Sequence, residues 1–66
     1  MQIVLNGDPL PLDVPLTLAD LIARYKLTPQ RVAIELNQNL VKRADFAKTT
    51  LNDGDQVEIV TLVGGG

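Results

Sequence analysis

No cysteine, histidine or tryptophan occurs among the 66 residues, and the only aromatic side chains are Tyr25 and Phe46. Each absence excludes something. Without cysteine no disulfide can staple the chain, and its length is close to the lower limit for folding without disulfides or metal. The hydrophobic core must therefore supply the stability. A zinc or transition-metal site would rest on carboxylates alone, a poor donor set for a buried structural metal. Nucleophilic catalysis commonly couples Ser, Cys, Thr or Lys to a positioned base, usually His. No such pair can be drawn here, and a chain this short forms at most a shallow cleft. The expectation is a carrier, substrate or binding module rather than an enzyme, with no catalytic residue, no metal site and no bound cofactor.

Charge of either sign is also scarce. Six Lys and Arg stand against eight Asp and Glu, for a net charge of -2. There is no basic stripe to hold phosphates and no aromatic platform to stack bases, which argues against a nucleic-acid partner. Lys42-Arg43 is too short to count as a basic patch. No apolar run approaches the ~20 residues that span a bilayer. The start, Met1-Gln2-Ile3-Val4, lacks the charged opening and long apolar stretch of a secretory signal. A cytoplasmic protein of one domain, residues 1–66, without membrane contact, is expected.

What is present is a 45% hydrophobic chain, an ordinary globular value. Residues 2–6 form an apolar run of strand formers, and Asn6-Gly7 is a strong hairpin signal. Leu10 and Leu12 then alternate with Pro9 and Pro11. Prolines two apart remove N–H donors from one side of a strand only, so this strand can pair on its other side and belongs at a sheet edge. Thr17 reads as a helix N-cap, with Asp20 three residues on as a weak form of the capping box. Leu18, Leu21, Ile22 and Tyr25 share one helical face. The helix should end near Lys26 or Leu27, because Thr28-Pro29 disfavours continuation.

Residues 31–37 hold Val32, Ile34 and Leu36 in strict alternation, which predicts a third strand. Asn37-Gln38-Asn39 reads as a turn and Leu40-Val41 as a short fourth strand. Lys42–Ala47 allows one helical or 3₁₀ turn with Phe46 inward. Asn52-Asp53-Gly54-Asp55 is a turn, and residues 56–61 form a last strand with Val57 and Ile59 on one face, running on into Leu62-Val63. The expected core is Leu18, Leu21, Ile22, Val32, Ile34, Phe46, Val57 and Ile59. The order describes an α+β fold of the ubiquitin-like β-grasp type: a mixed four- to five-stranded sheet with one main helix across one face. The other face of the sheet is left as a natural docking surface.

The most informative stretch is the end, Leu62-Val63-Gly64-Gly65-Gly66. Glycines at a chain end need no function. Three in a row would nevertheless arise by chance in only roughly 0.03% of chains, at ~7% average glycine content, and they follow a strand with no polar linker. Glycine lacks a Cβ and takes backbone angles closed to other residues. A flexible tail of Gly64, Gly65 and Gly66 can thread through a channel too narrow for side chains and present a bare carboxylate to another protein. ATP can activate that carboxylate as an acyl adenylate, from which a sulfur or nitrogen nucleophile displaces AMP. Such chemistry needs no acid or base from this chain.

These features together resemble the ThiS family of sulfur carriers for thiazole biosynthesis. Met1–Gly7 is similar to that family's first strand and turn, Ala33–Arg43 to its third strand and the turn after it, and Asp53-Gly54-Asp55 before Val57-Glu58-Ile59 to its last turn and strand. Two positions depart from the common pattern: Lys42 stands where members often have Pro, and Phe46 where Trp is frequent. The resemblance implies that a ThiF-like adenylyltransferase would use Mg-ATP on the Gly66 carboxylate. A cysteine desulfurase or other persulfide donor would supply the sulfur, and a ThiG-like thiazole synthase would receive it. Gly66 would carry the group, Gly64 and Gly65 would give access, and Leu62 and Val63 would help seat the tail. The competing readings are a molybdopterin-synthase small subunit, a modifier joined to lysines, and a β-grasp interaction domain with an inert tail.

Overall fold

The computed structural model describes residues 1–62. Five strands and one α-helix form among them: β1 (Gln2–Leu5), β2 (Asp8–Pro11), α1 (Leu18–Arg24), β3 (Val32–Leu36), β4 (Asn39–Val41) and β5 (Gln56–Thr61). Two 3₁₀ segments, Pro29–Arg31 and Arg43–Lys48, lie between them. The strands make one mixed sheet in the order β2-β1-β5-β3-β4. β1 runs parallel to β5, and the remaining neighbours are antiparallel.

Both hairpins turn on asparagine. Asn6 and Gly7 have φ of 50° and 85°, and Asn37 and Gln38 have 52° and 72°. Two successive positive φ values give a two-residue turn whose twist matches that of the flanking strands. This is why β1 ends at Leu5 and β3 at Leu36, one residue before the limits expected from the pattern. β2 is the edge that its prolines require. The Leu12 N–H donates inward to the Met1 carbonyl at 2.8 Å, while alternation turns the two proline nitrogens outward.

The helix begins with a complete capping box. The Thr17 hydroxyl accepts from the Asp20 N–H, and the Asp20 carboxylate accepts from the Thr17 N–H, both at 3.1 Å. It ends earlier than Thr28-Pro29 would demand, because Lys26 adopts φ of 57°. The Leu27 N–H then reaches the Ile22 carbonyl at 2.9 Å and the Lys26 N–H reaches Ala23 at 3.0 Å. This is the Schellman arrangement, with a lysine where glycine is usual. Tyr25 is consequently the C-cap and not part of the buried stripe. It is 45% exposed, and Leu27 packs against the core in its place.

Leu18, Leu21 and Ile22 of α1 face Ile3, Val32, Ile34 and Val57 of the sheet, all buried. Leu12, Phe46 and Leu51 complete the core. Of the core expected from the sequence, Ile59 is only partly buried. Ile3, Leu12 and Leu51 join because the order of strands puts β1 beside the central strand and brings the connections across its ends. Leu51 belongs to a segment tied to the helix start. Its N–H donates to the Leu16 carbonyl at 2.8 Å, and the Leu18 N–H donates to Thr49 at 2.9 Å. Among the described residues no polar or charged residue is buried, and no helix is long and apolar enough to cross a membrane.

Candidate functional site

The segment that leads into the glycine tail leaves from the middle of the sheet. β5 lies between β1 and β3, but the two neighbours support it unequally. β3 pairs along its length, from Leu36 opposite Val57 to Val32 opposite Thr61. The support extends one residue further, since the Leu62 N–H donates to the Arg31 carbonyl at 2.7 Å. β1 pairs with Gln56 and Val57 alone and then turns away at Asn6.

The Asn6 side chain takes over where the β1 backbone stops. Its Oδ1 accepts from the Ile59 N–H at 2.8 Å and its Nδ2 donates to the Ile59 carbonyl at 3.2 Å. One carboxamide thus copies the donor and acceptor of a ladder residue. A second asparagine holds the start of the strand. Asn37 Oδ1 accepts from the Gln56 N–H at 2.9 Å, its Nδ2 donates to Asp55 Oδ1 at 3.1 Å, and its own N–H donates to the Gln56 carbonyl at 2.7 Å. The sequence marks both asparagines as turn residues, and their left-handed backbone is the reason. Their grip on β5 follows from strand order, which nothing local announces.

Of the residues assigned to the site from sequence, Leu62 is described. It is 53% exposed, and its backbone N–H is the one held by Arg31. Val63, Gly64, Gly65 and Gly66 lie outside the described residues. Leu62 shares the helix-free face of the sheet with Val60 and Glu58, two and four residues before it. Among the described residues no group of three or more His, Cys, Asp or Glu stands placed to hold a metal ion. The described part of the site is therefore a firmly held strand delivering its C-terminal end to solvent beside an open sheet face. That arrangement suits presentation of a chain end to another protein.

Residues 3–66 match the profile of the ThiS family. The chain belongs to the ThiS family. This ThiS-family chain is 38% identical over 50 residues to the sulfur carrier protein ThiS of Bacillus subtilis, covering 76% of each. It is 41% identical to the uncharacterized protein ycf40 of Porphyra purpurea, over the whole of this chain and 93% of that one. A thiazole synthase of Paramagnetospirillum magneticum is 33% identical over all 66 residues, which span 20% of that longer protein. The crystal structure of the thiamine biosynthesis protein ThiS from Geobacter metallireducens superposes with a TM-score of 0.84 at 35% identity, covering both chains completely. The β-grasp architecture expected from the element order is the one this ThiS-family chain has.

Proposed function

We propose that this ThiS-family chain is a cytoplasmic sulfur carrier for thiazole formation in thiamin biosynthesis, acting as one domain over residues 1–66 and bearing sulfur on the Gly66 carboxyl group. The observation that carries the reading is the family match itself, which runs through residue 66. That the matched range includes Gly64, Gly65 and Gly66 supports the reading. The central β5, paired on both sides, supports it physically, since a fixed strand sets the point from which the segment to Gly66 starts.

The chemistry proceeds in balanced steps. A Gly66 carboxylate oxygen attacks the α-phosphorus of Mg-ATP, held by a ThiF-like partner, and pyrophosphate leaves. The terminal sulfur of a persulfide, supplied by a cysteine desulfurase or similar donor, attacks the acyl carbon and AMP leaves. A donor thiol then breaks the sulfur–sulfur bond, becoming a disulfide and releasing the thiocarboxylate. Transfer to a ThiG-like thiazole synthase follows. This chain contributes the acyl group and its access through Gly64 and Gly65, with Leu62 and Val63 seating the tail, and Mg-ATP remains the partner's cofactor. The relative in which a carrier-like segment makes up 20% of a thiazole synthase favours the thiazole route over molybdopterin synthesis.

Intact mass after incubation with a ThiF-type enzyme, Mg-ATP and a persulfide source tests the proposal. The expected result is a gain equal to sulfur replacing oxygen, located at Gly66 and abolished by removal of Gly65 and Gly66. No gain and no AMP adduct, with an enzyme shown to act on another carrier, would overturn it.

A further inference from the structure

The helix-free face of the sheet carries an arrangement that the fold does not need. Glu35 of β3 and Glu58 of β5 stand directly opposite each other in the ladder, and both are exposed. Leu40 of β4 faces Glu35 from the other side and is 72% exposed. The next row pairs Ala33 with Val60, and Val60 is 57% exposed. Two like charges in a cross-strand pair are destabilising, and large exposed aliphatic side chains bring the fold no stability. By alternation Lys42, which follows β4, falls in the row of Ala33 and does not stand between the two carboxylates.

We infer that Glu35 and Glu58 together clamp an arginine of the adenylating partner, with Leu40, Val60 and Leu62 as the apolar surround of that contact. The inference rests on the carrier reading above and adds the chemistry of the partner's surface. Opposed residues have Cβ atoms about 5 Å apart, so two carboxylates can meet one planar guanidinium, whose donors form a rigid fork. A lysine ammonium is a compact, strongly hydrated charge and fits less well among aliphatic side chains. Reach supplies the second argument. Gly66 is four residues beyond Leu62, so the tail extends at most about 14 Å from it. An enzyme holding the Gly66 carboxylate in its active site must therefore cover ground close to Leu62 and Val60, and a specific interface of about 800 Å² per partner extends to Glu58 and Glu35.

The test measures binding of fluorescently labelled chain to a ThiF-type adenylating enzyme at low and moderate salt, together with thermal unfolding of each variant. For Glu35→Gln/Glu58→Gln the dissociation constant should rise about tenfold or more with a weaker salt dependence, while the melting temperature holds or rises as the repulsion is removed. Asp8→Asn/Asp13→Asn removes the same charge elsewhere and should bind as the unchanged protein does. Equal binding by the glutamine variant, or equal weakening in both variants, would overturn the inference while leaving the carrier reading intact. Failure of the unchanged chain to bind or become adenylated would remove the carrier reading and this inference with it.

Discussion

Two residues show how much of this fold turns on single backbone conformations. Asn6 sits at φ of 50°, where asparagine is tolerated better than most residues, and its amide replaces the ladder partner that Ile59 would otherwise lack. Asn6→Ala removes two hydrogen bonds and the tolerance for that turn. It should cost about 1–3 kcal/mol, read as a lower urea midpoint. Lys26 offers the opposite case. It occupies the left-handed position that closes α1 without the conformational freedom glycine has there. Lys26→Gly should raise stability by about 0.5–1 kcal/mol, while Lys26→Ala, which relieves no strain, should leave the midpoint nearly unchanged.

Among the elements, α1 depends most visibly on its ends. It has seven residues, and an isolated helix of that length does not persist in water. The capping box, the Schellman closure and burial of Leu18, Leu21 and Ile22 must hold it together. Thr17→Ala removes one half of the box and should cost about 1 kcal/mol, measurable by denaturant titration with an unchanged slope. The prolines of β2 and the alternation in β3 and β5 make those strands legible from local pattern alone. Arg43–Lys48 is less so, because a 3₁₀ segment of six residues makes only about two turns of three residues each, too few for its period to show. Phe46, 4% exposed, is its one legible residue.

For the molecule as a whole, stability has a single source. No disulfide exists, so removing part of the core removes a large share of the total. Ile34, fully buried on β3, meets the helix near the centre. Ile34→Ala should cost about 2–5 kcal/mol, against a total of about 5 kcal/mol for a chain of this size. A circular-dichroism melt should show a substantially unfolded population at physiological temperature. The tail answers to different physics. Gly64, Gly65 and Gly66 carry no side chain to bury, so removing Gly65 and Gly66 should abolish sulfur loading and leave the melt unchanged.

The chain's own sequence determined whatever rests on nearest neighbours. Asn6-Gly7 made a turn, Pro9 and Pro11 made an edge, Thr17 and Asp20 opened a helix, and the alternations of Val32–Leu36 and Val57–Ile59 made strands with one buried side. Those are properties of a few adjacent residues and their sterics. Tertiary structure alone decided that Asn6 and Asn37 reach across to hold β5, that Tyr25 stays in water while Leu51 does not, and that Glu35 meets Glu58. Each of these depends on strand order and register, which arise when distant segments bury their apolar faces together. No local pattern specifies which segment will be the neighbour.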